Sequence, residues 1–102
     1  MVSVRFEWDE AKGRSNRVKH GIGFEEAAQV FRDPLRITVQ DRIENGEQRW
    51  QTYGSLGGLM IVVVAHTITE IDEDGAEIEV IRIISARTAT RKERWRYENE
   101  IG

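Results

Sequence analysis

The chain has 102 residues, 39% of them hydrophobic and 8% aromatic, enough apolar material for one packed domain and too much for a disordered chain. It contains no cysteine, which excludes disulfide frameworks, thiolate metal sites and cysteine nucleophiles. The formal net charge of -3 argues against attraction of nucleic acid to the whole surface.

Val4, Phe6 and Trp8 alternate with Arg5 and Glu7, the period of a short strand. Asp9 then suits a helix N-cap and Gly21 a left-handed C-cap, with Ala11 and Val18 as the only apolar candidates to face a core. Lys12, Asn16, Lys19 and His20 share one face of that helix. Phe24, Ala27, Ala28 and Phe31 have the spacing of a second helix with a core-facing stripe, which Pro34 closes. Arg36 to Gln40 predicts a strand, and Asn45-Gly46 a turn. Arg49 to Leu56 and Leu59 to Ile68 predict two more strands, joined by a two-residue turn at Gly57-Gly58. After the exposed turn Asp72 to Gly75, Glu77 to Ser85 predicts a fourth strand of the meander. Thr90 and Glu93 form a capping box at the head of a terminal helix, with Trp95 and Ile101 as its apolar contacts. The expected order is β-α-α-β-β-β-β-α: an α+β fold, an antiparallel meander sheet packed by helices, in one domain over residues 1–102.

The opening residues never build the apolar run of a signal peptide, and Leu59 to Ala65 is too short to span a bilayer. A cytoplasmic location away from membranes is expected. Acid is concentrated in the middle of the chain, where Pro34 to Gly75 holds three Lys/Arg and seven Asp/Glu. Twelve of the 15 cations are arginine, whose planar fork suits bidentate contact with phosphate or carboxylate.

Three groups of residues are suited to chemistry. A two-residue turn at Gly57-Gly58 would place Arg49 opposite His66, a cation beside a group that titrates near neutrality; a hydrogen-bonded sheet histidine and a surface cation is the plainer alternative. Arg82, Ser85 and Arg87 stand in the apolar stretch Ile81 to Arg87, where a guanidinium needs a carboxylate or a bound anion. Glu93 is the internal partner available to Arg82. The helix face of Lys12, Asn16, Lys19 and His20 could hold a phosphate backbone or be simply a solvated surface. No P-loop, dinucleotide fingerprint or metal-ligand spacing appears, so neither metal nor other cofactor is expected.

Phe6, Trp8-Asp9, Lys12, Asn16, Lys19-His20-Gly21, Phe24, Ala27, Val30-Phe31 and Asp33, followed by Arg49, Gly54, His66-Thr67, Arg82 to Arg87, Ala89, Glu93-Arg94 and Tyr97, together resemble the BrnT toxin family over nearly the whole chain. Glu10 and Gly23 depart from that pattern at helix starts. The resemblance implies a RelE-like ribonuclease toxin of a type II toxin–antitoxin module. It also implies a BrnA-like antitoxin bound in a hetero-oligomer, whose ribbon-helix-helix region holds operator DNA and represses the operon. RNA carries its own nucleophile in the 2′-OH, so a protein need only orient it, remove its proton and neutralise the phosphate. On this reading Arg49, Arg82 and Arg87 bind phosphate with Ser85 beside them, His66 or His20 transfers the proton, and Lys12, Asn16, Lys19 and His20 contact flanking RNA. The competing readings are a non-catalytic module that uses the arginines to hold an acidic partner or nucleic acid, and a structural domain in which Glu93 neutralises Arg82.

Overall fold

The first strand, β1 (Ser3–Glu7), leads through Asp9 into helix α1 (Glu10–His20), where the Asp9 carboxylate accepts from the Lys12 backbone N–H at 3.1 Å. Gly21 closes α1 with φ 74°, as its cap position requires. Helix α2 (Phe24–Gln29) runs into a 3-10 turn (Val30–Arg32). Strands β2 (Ile37–Glu44), β3 (Glu47–Leu56), β4 (Met60–Glu73) and β5 (Ala76–Thr88) form the meander, and α3 (Arg91–Asn99) ends the sequence of elements. This is the structure of a computed structural model, and it describes residues 3–100; Ile101, expected to pack beneath α3, lies outside them.

The sheet order is β1-β5-β4-β3-β2, with β1 parallel to β5 and all other pairs antiparallel. One face carries α1 and α2 and holds the core, built by Ile22, Phe24, Ala27 and Val30 against Val62, Val64, Ile81 and Ile83. The stripe predicted on α2 is therefore real. Burying a side chain such as Phe24 contributes about 1.5–3 kcal/mol. Gly54 lets the layers meet, because a Cβ there would lie 2.5 Å from Val30 Cγ1 and 2.9 Å from the Val30 carbonyl oxygen.

Four expectations are corrected. The β3–β4 connection is a three-residue loop, Gly57-Gly58-Leu59, with Leu56 opposite Met60; Leu59 is 96% exposed at its tip. Every partner consequently moves by one residue, and His66 stands opposite Trp50 rather than Arg49. Val18 is 89% exposed, because α1 approaches the core through Gly13, next to Phe24, and through Asn16. Trp95 also faces solvent, and α3 rests on the sheet by polar contacts: the Tyr97 hydroxyl donates to Asp33, and Arg96 lies 5.7 Å from the Tyr53 ring centre.

Candidate active site

Arg82 and Arg87 are five residues apart and would face opposite sides of an uninterrupted strand. A bulge at Ile84 changes the phase. Arg82 stands opposite Thr67, Ser85 opposite Ala65 and Arg87 opposite Val63, three alternating residues of β4 and therefore one face. That face is the one turned away from α1 and α2. On β3, Gln51 opposes Ala65, so Arg49, two residues before it, belongs to the same face. Sequence alternation alone would have separated Arg82 from Ser85 and Arg87; the bulge brings Arg49, Arg82, Ser85 and Arg87 to one surface.

Each of its cations has a carboxylate neighbour. Arg82 Nη2 donates to Glu47 Oε1 at 2.8 Å, and Arg49 Nε lies 3.9 Å from the same oxygen, with Arg49 Nη2 3.6 Å from Glu44. Arg49 and Arg82 thus converge on Glu47. Arg49 is the more enclosed, its side chain 19% exposed, and its buried Nε–H has no hydrogen-bond partner among the described residues. A depression of about 290 Å³ opens beside Arg82, lined also by Arg5, Glu7, Glu47 and Thr67.

At the other end of the row Arg87 meets Glu93 in a two-pronged pair of 2.7 and 3.0 Å. The predicted Arg82 to Glu93 pair is therefore replaced by two: Arg82 with Glu47 and Arg87 with Glu93. Hydrogen bonding to Arg87 holds the Glu93 carboxyl down to about 2, against a smaller upward push from burial. The same carboxylate accepts from the Thr90 N–H, closing the predicted capping box. Nearby, burial pushes the Tyr97 hydroxyl up to about 12, with its bond to Asp33 adding to the rise. Burial also pushes Asp33 upward, but its hydrogen bonds from Tyr97, Ser55 and Leu35 outweigh that and lower it.

The remaining sequence candidates lie elsewhere. His66 is fully buried on the helical face, with Nε2 2.7 Å from Thr52 Oγ1 and its ring edge-on to Phe31. Burial lowers it to about 4, so it is neutral at pH 7. Asn16 is buried too. Its amide nitrogen donates to the carbonyls of Ile22 and Ala86, and its oxygen accepts from the Ala86 N–H. An amide so committed clamps α1 to β5 and has no capacity left for a phosphate. Lys12, Lys19 and His20 are exposed on α1, in the layer behind the sheet from the arginines. Glu47 went unread in the sequence although its spacing from Arg49, two residues on a strand, places both on one face. The Asp33–Tyr97 contact, 64 residues apart, left no local signal.

Among the described residues no group of three or more His, Asp or Glu gathers to hold a metal ion. A five-stranded sheet with α1 and α2 on one face and, on the other, a row of guanidinium groups with α3 at its Arg87 end defines an α+β protein. Residues 8–93 match the family model of the ribonuclease toxin BrnT of type II toxin–antitoxin systems, and the chain belongs to that family. The crystal structure of the Brucella abortus ribonuclease toxin BrnT has a similar fold, with a TM-score of 0.54 and 23% identity over 89% of this chain and 99% of that one. Among curated proteins no sequence match was found. Membership of a type II toxin family carries an RNA target and an antitoxin partner with it. No helix among the described residues is long and apolar enough to cross a membrane.

Proposed function

We propose that the arginine face cleaves RNA through the 2′-OH, without a metal ion, in a RelE-like toxin of the cytoplasm. The observation that carries this reading is the convergence of Arg49 and Arg82 on Glu47, with the Arg49 Nε–H buried and unpartnered beside them. A guanidinium has five N–H donors, and Arg82 gives only one to Glu47. The rest are free for the two non-bridging oxygens of a phosphodiester, whose charge grows as the 2′-oxygen attacks. Arg87 and Ser85 extend the same row toward the neighbouring phosphate.

The proton-transfer role passes from His66, neutral and behind the sheet, to Glu47, the carboxylate that bonds Arg82 and lies 3.9 Å from Arg49 Nε. The 2′-oxygen forms a bond to phosphorus, its proton goes to Glu47, and the bond to the 5′-oxygen breaks with a proton returned from solvent. The ends produced are a 2′,3′-cyclic phosphate and a 5′-hydroxyl. Exposed Lys12, Lys19 and His20 would serve flanking RNA that passes round the sheet edge; Asn16 would not. A BrnA-like ribbon-helix-helix antitoxin is the partner expected to cover the arginines and to repress the operon through DNA.

Purified chain incubated with RNA and EDTA tests the reading. New cyclic-phosphate ends are expected, and Arg82→Ala should reduce their rate about a hundredfold or more at unchanged melting temperature. RNA bound without new ends would convert the assignment to a non-catalytic binding module. Wild-type rates in a folded Arg82→Ala protein would remove the site altogether.

A further inference from the structure

On the helical face, the far end of the sheet is not covered by α1 or α2, and a cavity of about 270 Å³ opens there. It is just below the range of about 300–1,000 Å³ common for drug-sized ligands, a size for one small molecule rather than a polymer. Its walls are Phe6, Phe31, Ile68 and Ile81, an apolar slot with two aromatic rings 5.2 Å apart.

The polar groups around this slot are arranged by sign. Arg32 and Arg36, from the 3-10 turn and the approach to β2, line one flank. Neither has a carboxylate within ion-pair distance among the described residues, in contrast to Arg49, Arg82 and Arg87. Glu79 of β5 lines the other flank, also without an ion-pair partner among the described residues. β5 and β2 stand three strand spacings apart in the sheet, roughly 14 Å. Between them runs a hydrogen-bonded chain, His66 Nε2 to Thr52 Oγ1 at 2.7 Å and Thr52 Oγ1 to Thr38 Oγ1 at 2.9 Å, with His66 and Thr38 both lining the cavity. The hydroxyl of Thr38 at the wall is therefore tied to the buried Thr52 and His66.

We propose that this cavity binds a single nucleotide, with its base in the apolar slot toward Glu79 and its phosphate on Arg32 and Arg36. An acidic peptide would satisfy the two cations but bring further negative charge to Glu79. A nucleotide matches both ends, because an amino-bearing base offers N–H donors where the carboxylate accepts. Adenine, cytosine and guanine are therefore favoured over uracil. The site stands on the opposite side of the sheet from the arginine row, and its occupancy is read by binding alone, whether or not RNA is cleaved at the other face.

Isothermal titration of the full chain with each of the four ribonucleoside 5′-monophosphates, and with inorganic phosphate, tests the assignment. Saturable one-to-one binding is expected for AMP, CMP or GMP, with UMP weaker. The double variant Arg32→Ala/Arg36→Ala should weaken binding about tenfold or more, Ile68→Trp should abolish it by filling the slot, and Glu79→Gln should narrow the gap to UMP. Arg82→Ala should leave it unchanged, with melting temperatures checking that all variants fold. The proposal is overturned by absence of saturation at millimolar nucleotide, or by inorganic phosphate binding as tightly as any nucleotide. Loss of binding in Arg82→Ala alone, or tighter binding of a glutamate-rich peptide, would also overturn it.

Discussion

The two faces of the sheet treat their arginines in opposite ways. On the face away from α1 and α2, Arg82 and Arg87 each bond a carboxylate and Arg49 lies near two, so the row is held in position. On the helical face Arg32 and Arg36 form no ion pair among the described residues, Arg36 donating instead to the Asp33 carbonyl at 3.1 Å, and both flank an apolar slot. A guanidinium fixed by one or two of its N–H groups keeps a defined direction and still offers the others, which suits the fixed geometry of a reaction. One without a carboxylate partner loses more side-chain freedom on binding but has no ion pair to displace, which suits reversible capture. Pre-orientation and availability are separate properties of one residue type, and the two faces of this small sheet differ in them.

The strongest way to break this comparison is to exchange the roles of the faces. Arg82→Ala is expected to lose about two orders of magnitude in RNA cleavage, whereas His66→Gln should stay within about threefold of wild type; a cleavage assay reversing that order would move the chemistry to the helical face. Gly54→Ala should destabilise by about 1–3 kcal/mol through overpacking against Val30, seen as a lower denaturant midpoint with little change in slope.

The pH dependence separates the faces further. His66 falls from 6.5 to about 4 on folding, so the unfolded chain binds more protons between those values. Its contribution is complete above pH 6.5 and is lost as pH falls toward 4, at up to about 1.4 kcal/mol per unit. Urea titrations of His66→Gln should show a flatter profile in that window. Glu93 is also depressed, from 4.5 to about 2, so its contribution is present above 4.5 and fades between those two values. Glu93→Gln should cost about 1 kcal/mol at pH 7 and remove that lower limb. The smallest effect has the opposite sign: Gly13→Ala should stabilise by up to about 1 kcal/mol, because a Cβ there meets Phe24 at an ordinary 3.5 Å.

Much of the fold could be read from local signals. Asp9, Gly21, Thr90 and Glu93 mark helix ends by chemistry that acts within one turn, and each does so in the structure. Asn45-Gly46 likewise forms its turn, both residues with positive φ. The register escaped because Gly57 and Gly58, with φ 65° and 76°, suit a two-residue turn equally well, and an apolar Leu59 gives no sign of belonging to the loop. The bulge escaped for a related reason: Ile81, Ile83 and Ile84 form an apolar run with no glycine or proline to mark a break in phase. Arg82, Ser85 and Arg87 were legible as a group, but their common direction was not. His66 stood out as a titratable group, yet its burial depends on Phe31 and Thr52, brought in by other elements.

Asn16 grips Ala86, two residues beyond Ile84, so the extra residue in β5 has a pin just downstream of it. With that anchor in place, excision of Ile84 would not merely shorten the strand. It would turn Arg82 to the far side while Ser85 and Arg87 kept their places, dividing the row without altering a single one of its side chains. Chain length at this point itself decides which arginines share a surface.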